Sequence, residues 1–292
     1  MSAKLSSALV STDWLAQHLG DSNLRVFDCT VSFDYDPDKG ISLRAQPEYE
    51  EAHIPGAAYL DLYRDLSDHE NNMFMMPSPK AFSQVLSAAG LGDDHQVVLY
   101  SSNNVFWATR LWWMLRASSF TNAAVLDGGL QCWKAEGRPI TGGQESYPSA
   151  TFTARPDPAR WVDKETVLAE IGGATVCTIN TLPREEYLGT GKWSPFIQQG
   201  YGRKGRIKGS LNVPFAGLLI EEGLFAPVDQ ITQAFTDIGA LSKERIICYC
   251  GGGISATIDA LALHLIGYDN VAVYDGSLNE WGRDHSLPME TG

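Results

Sequence analysis

The chain has 292 residues, 44% hydrophobic and 20% charged, with 22 Lys and Arg against 35 Asp and Glu. A net charge of −13 repels nucleic acid and anionic membranes at long range, so neither is an expected partner. No apolar run reaches the ~18 residues a membrane span needs, and Met1-Ser2-Ala3-Lys4-Leu5-Ser6-Ser7 lacks the apolar stretch of a secretion signal, which leaves the cytoplasm as the expected compartment.

In chain order, Val26-Phe27-Asp28 is the first short apolar run, and the turn His53-Ile54-Pro55-Gly56-Ala57-Ala58 follows. A predicted strand over 97–100 enters the polar turn Ser101-Ser102-Asn103-Asn104, then a helical stretch over 105–117. Ala124-Val125-Leu126 is the next strand and closes on Asp127-Gly128-Gly129-Leu130-Gln131-Cys132-Trp133. Residues 141–160 are rich in Gly, Pro and Ser without periodicity, the mark of a linker.

The same series then recurs. Thr178-Ile179-Asn180 matches the first run, and Arg206-Ile207-Lys208-Gly209-Ser210-Leu211 matches the His53 turn and leads into a predicted strand over 211–214. A strand over 245–249 enters the turn Cys250-Gly251-Gly252-Gly253-Ile254-Ser255, followed by a helix over 255–266. Ala272-Val273-Tyr274 closes on Asp275-Gly276-Ser277-Leu278-Asn279-Glu280-Trp281. Four elements agree in the same order, at offsets of 148 to 153 residues, so the chain is an internal repeat. Short apolar strands alternating with helices predict an α/β fold. Two tandem domains are expected, 1–145 and 158–292, each a mainly parallel sheet flanked by helices.

Five cysteines, Cys29, Cys132, Cys177, Cys248 and Cys250, are odd in number and irregularly spaced, so no disulfide framework is expected. No second Cys/His pair has zinc-like spacing, and neither a metal nor a cofactor is predicted. Cys250 differs from the rest. Ligands of parallel α/β sheets bind at the carboxyl ends of strands, where the Cys250 turn sits. Three glycines let successive N–H groups converge into an anion nest, and the following helix adds its positive end. That setting favours a thiolate, the nucleophile that sulfur transfer requires. The sister turn at Ser101 has neither thiol nor glycines. Cys248 lies within the strand and is expected to be packed. A cysteine phosphatase uses similar logic but closes its loop with an arginine, where this chain has Ser255.

On these residues the chain resembles the tandem rhodanese family of thiosulfate and 3-mercaptopyruvate sulfurtransferases. The landmarks are Tyr49-Glu50-Glu51-Ala52-His53-Ile54-Pro55-Gly56-Ala57, Met76-Pro77-Ser78-Pro79, Arg110-Leu111-Trp112-Trp113, Leu126-Asp127-Gly128-Gly129, the Cys250 loop and Tyr274-Asp275-Gly276-Ser277. The resemblance implies rhodanese-like domains, the first non-catalytic and the second catalytic. It also implies a Cys250 persulfide that carries sulfur from a small anionic donor, 3-mercaptopyruvate or thiosulfate, to a thiol or cyanide.

Within that family the loop is nearest the mercaptopyruvate form, Cys-Gly-Ser-Gly-Val-Thr. The family's loop serine corresponds to Gly252 here, and its His and Asp partners to Phe74 and Tyr63. No cation follows Cys250, so Arg203, Lys204 and Arg206 are the candidate donor-binding residues. The departures keep a second reading open, a non-catalytic or persulfide-sensing module.

Overall fold

The structure is a computed structural model and describes residues 5–36, 40–43, 45–69, 74–191 and 202–292. The chain forms two units, one of residues 1–67, 76–156 and 221–224, the other of 68–75, 157–220 and 225–292. Among the described residues no helix is long and apolar enough to cross a membrane.

In the first unit the elements run β1 (Leu9–Val10), α1 (Thr12–His18), β2 (Leu24–Asp28), β3 (Phe33–Asp36), β4 (Gly40–Leu43), α2 (Ala45–Glu51), β5 (Ala58–Tyr59), α3 (Pro79–Ala88), β6 (Gln96–Tyr100), α4 (Phe106–Ala117), β7 (Ala123–Leu126) and α5 (Gly129–Ala135). Five strands form a parallel sheet in the order β1-β7-β6-β2-β5. The central strand β6 is Gln-Val-Val-Leu-Tyr, buried at every position, because helices cover both faces and leave no solvent side for a polar residue. Val10, Leu15, Val26, Ile54, Val98, Leu126 and Trp133 share one core.

The second unit runs β8 (Trp161–Val162), α6 (Lys164–Glu170), β9 (Val176–Asn180), α7 (Arg184–Leu188), β10 (Arg206–Ile207), β11 (Leu211–Asn212), α8 (Val228–Asp237), β12 (Arg245–Tyr249), α9 (Ala256–Leu265), β13 (Val271–Tyr274), α10 (Ser277–Trp281) and β14 (Met289–Glu290). Its sheet reads β8-β13-β12-β9-β11, the same order as β1-β7-β6-β2-β5. The strand expected over 211–214 stops at Asn212, because Pro214 has no N–H to continue a ladder.

The repeat extends to single hydrogen bonds. Tyr100 Oη accepts from Ile54 N at 3.3 Å, and Tyr249 Oη from Ile207 N at 3.0 Å. Cys29 N donates to Tyr100 O, as Thr181 N does to Tyr249 O. The indole of Trp133 donates to Pro139 O, and that of Trp281 to Pro288 O. Each unit therefore places the turn after its central strand, at Ser101 or Cys250, on the same scaffold.

Candidate active site

Cys250 follows β12 directly, and its flanks fix it. Tyr249 pairs in register with Asn180 of β9. Cys250 N donates to Ser277 Oγ at 3.1 Å, Cys250 O accepts from Leu278 N at 3.1 Å, and Gly251 O accepts from Asn279 N at 2.8 Å. Ser277 Oγ in turn donates to Tyr274 O at 2.7 Å. Ser277 holds φ +48°, a left-handed conformation that costs a non-glycine residue about 1–2 kcal/mol. The corresponding residue of the first unit is Gly129, at φ +54°, for which that conformation carries no steric cost. The hydroxyl at Ser277 thus joins the cysteine's backbone to β13. Cys250 itself is only 2% exposed.

The loop beyond the cysteine is rich in donors without acceptors. The N–H groups of Gly251, Gly252, Ile254 and Ser255 meet no acceptor among the described residues. Gly253 takes φ +77°, which turns the chain and gathers these groups. Ser255 opens α9 without capping it through its side chain, so the positive end of a ten-residue helix adds to the nest. Its hydroxyl lies 3.4 Å from Thr181 Oγ1. Buried backbone donors are nearly always satisfied in folded proteins. Unmatched N–H groups beside a cysteine are a receptor for negative charge, such as a thiolate or a terminal sulfur.

The other thiols have no such setting. Cys29 and Cys248 are fully buried, and burial pushes both thiols well above their usual range. Burial also raises Cys177, to about 11. These thiols stay protonated at neutral pH and are poor nucleophiles. Sequence reasoning did not single out Asp259 on α9. It is fully buried, neither carboxyl oxygen has a hydrogen-bond partner among the described residues, and burial raises its acid well above the ordinary value. Among the described residues no group of three His, Cys, Asp or Glu side chains is placed to hold a metal ion.

Of the expected donor-binding cations Arg203, Lys204 and Arg206, the structure engages both arginines within the chain. Arg203 donates to four main-chain carbonyls, those of Trp281, Gly282, Asp284 and Leu287, at 2.6–3.0 Å. Its guanidinium is engaged by the C-terminal turn and not offered to a ligand. Arg206 pairs with Glu290 at 3.1 Å, donates to Gly292 O at 2.9 Å, and lies over the Tyr187 ring. Both arginines serve the seam between 202–206 and 282–292. Gly205 marks that seam, since a Cβ there would fall 2.3 Å from Glu290 O. Gly202 and Gly205, flanking Arg203-Lys204, are the sequence signal that could have shown close backbone packing rather than a ligand site. Lys204 is exposed.

The comparisons with known proteins agree with this architecture. A sequence model of the rhodanese-like domain matches residues 11–136 and again 165–284. The chain belongs to the rhodanese-like family. It is 31% identical over 283 residues to the 3-mercaptopyruvate sulfurtransferase of Escherichia coli K12, covering 96% of this chain and 97% of that one. It is 32% identical over 293 residues to the thiosulfate sulfurtransferase of Cricetulus griseus, covering 98% and 95%. The crystal structure of SseA from Escherichia coli, a 3-mercaptopyruvate sulfotransferase, matches with a TM-score of 0.80 at 30% identity, over 93% of this chain and 99% of that one. Sulfur transfer is the enzyme class of these full-length rhodanese relatives.

Proposed function

We propose that this rhodanese-family sulfurtransferase carries sulfur as a persulfide on Cys250, in a catalytic domain of residues 158–292, with residues 1–145 as its non-catalytic copy. The observation that carries the reading is the set of unmatched N–H groups on Gly251, Gly252, Ile254 and Ser255 around that one cysteine. Gly253 shapes the loop. The Cys250 thiolate attacks the outer sulfur of a small anionic donor, 3-mercaptopyruvate or thiosulfate. A bond forms between that sulfur and Sγ as its bond to carbon or sulfur breaks. The leaving pair departs as sulfite from thiosulfate, or as an enolate that takes a proton to become pyruvate. The terminal persulfide sulfur then carries the negative charge, and the loop N–H groups stabilise it. A thiolate or cyanide attacks that sulfur next and returns Cys250 to the thiolate.

No step calls for a metal or organic cofactor, and an acidic chain of net charge −13 is a poor match for nucleic acid. A cytoplasmic location belongs to the same reading. Its support is that Cys29, Cys132, Cys177, Cys248 and Cys250 are all free thiols, as in a reducing compartment. Mass spectrometry after donor treatment tests the assignment. One sulfur, about 32 Da, is expected on the peptide containing Cys250, and Cys250→Ser abolishes both adduct and turnover. Turnover that survives in Cys250→Ser overturns the reading. A reactive Cys250 with no turnover on any donor points instead to a persulfide-sensing module.

A further inference from the structure

Gly252 poses a question that backbone geometry does not answer. Its φ lies outside the left-handed region, unlike that of Gly253 at +77°, so any L-residue fits its main chain. The constraint comes from a neighbour. A Cβ at Gly252 would lie 3.0 Å from Asn279 Nδ2 and 4.0 Å from Asn279 Cγ. The carboxamide of Asn279 thus stands tightly against the point where a side chain at 252 would begin. Main-chain bonds set the residue beside the loop. Asn279 N donates to Gly251 O at 2.8 Å, and Leu278 N donates to Cys250 O at 3.1 Å, which docks the first turn of α10 onto the loop. Asn279 is half-buried, with its amide beside Gly252, whose N–H, like that of Gly251, meets no acceptor among the described residues.

The first unit lacks this arrangement. Leu130 N donates to Ser101 O as Leu278 N does to Cys250 O. The residue matching Asn279, Gln131, is exposed, and among the described residues it makes no bond to the Ser101 turn. The polar side chain over the loop therefore accompanies the cysteine and not the fold.

We propose that Asn279 is a donor-binding residue of the Cys250 site: its amide, reaching the loop from α10, occupies the place of a side chain at residue 252 and donates an N–H to the anionic end of the sulfur donor. Residues 252 and 279 form one unit, in which a glycine on the loop admits an amide from the helix. The inference rests on the Cys250 reading above.

The test uses the full chain and steady-state kinetics with 3-mercaptopyruvate and thiosulfate as separate donors and cyanide as acceptor. Asn279→Asp keeps the shape, removes the N–H donors and adds a like charge, and it is expected to lower kcat/KM for the donor by about 30-fold or more. Asn279→Ala is expected to lose about tenfold. In both variants KM for the donor rises, the cyanide-dependent step is unchanged, and the persulfide adduct still forms at saturating donor. Gly252→Ser alone pushes the amide aside and is expected to lose about tenfold. Combined with Asn279→Ala, which vacates the space and lets the introduced serine hydroxyl donate in place of the amide, it returns to within about threefold of wild type, a coupling that independent residues do not show. Thermal unfolding of each variant within a few degrees of wild type marks the losses as local.

Unchanged donor kinetics in Asn279→Asp, or additive losses in the double variant, overturn the proposal while leaving Cys250 in place. A wild-type chain with no adduct and no turnover overturns both readings.

Discussion

Ser101 and Cys250 close the central strands of two sheets with the same strand order, yet side chains serve the N–H groups of one turn and not of the other. At Ser101 side-chain oxygens take up two of the turn's N–H groups. Ser102 N donates to Thr30 Oγ1 at 2.8 Å, Asn104 N to Asn103 Oδ1 at 2.5 Å, and Ser101 Oγ to Asn104 O at 2.6 Å. At Cys250 the matching loop has no side chain on any of its three glycines, and four of its N–H groups meet no acceptor among the described residues. The neighbouring strand differs in the same sense. The first unit pairs Tyr100 with Asp28, a buried acid whose ionisation burial opposes. The second unit pairs Tyr249 with Asn180, which makes the equivalent turn bond, to Leu182 N at 2.9 Å, without a charge. One scaffold therefore carries two turns, one with side-chain acceptors for its N–H groups and one, proposed above as an anion receptor, without them.

The comparison breaks if a thiol alone makes a site. Ser101→Cys in a Cys250→Ser background is expected to gain no persulfide and to stay at least about a thousandfold below wild type in turnover, since a nucleophile without its surroundings recovers little. Mass spectrometry after donor treatment gives the answer, and an adduct at position 101 sinks the contrast.

Loop shape comes next. Gly253→Ala forces a side chain onto φ +77°, so the loop either bears strain of about 1–2 kcal/mol or rearranges. Persulfide formation is expected to slow by about 10- to 100-fold, measured by stopped-flow loading at saturating donor.

Asn180→Asp makes the second unit resemble the first. The introduced carboxyl keeps the bond from Leu182 N and, buried like Asp28, ionises only above the usual carboxylate range. It is neutral at low pH and negative at high pH, where it disfavours the thiolate one residue beyond its partner. Loading is expected to fall by about 3- to 10-fold at pH 8 and by less at pH 6, in line with a nearby like charge. A loss that does not depend on pH argues against the electrostatic account.

The smallest effect concerns stability. Asp259 is raised in the folded state above its unfolded value. Its neutral form suits folding at low pH, and stability drains away as pH rises through the folded value. Asp259→Leu is expected to gain about 1–3 kcal/mol at pH 8, the cost of a buried unpaired polar group, and less at pH 5. Urea unfolding at the two pH values checks the sign.

Much of this was legible in the sequence because it rests on local pattern. The repeat, the parallel α/β class and the Cys250 turn all follow from apolar runs, glycines and the Asp-Gly closures. The cations were not legible. Arg203 and Arg206 look like a ligand-binding patch until the chain returns some eighty residues later and places carbonyls around one and Glu290 beside the other. Asn180 and Ser277 were visible as letters in the repeat, but their meaning needed the register that sets them beside Tyr249 and Cys250. Gly252 stands where the loop of the mercaptopyruvate form has serine. Why it is glycine depends on Asn279, which reaches it only through tertiary contact.

The carbonyl cage of Arg203 also bears on how the site can change over generations. A lysine there offers a point charge on a flexible stem and cannot match a planar fork that reaches four carbonyls. Recruiting this arginine to a new donor would undo the turn behind α10, the helix that holds Cys250 O and Gly251 O. A tighter grip on an anion is therefore built at less cost through surface positions on the loop rim than through the half-buried Arg203.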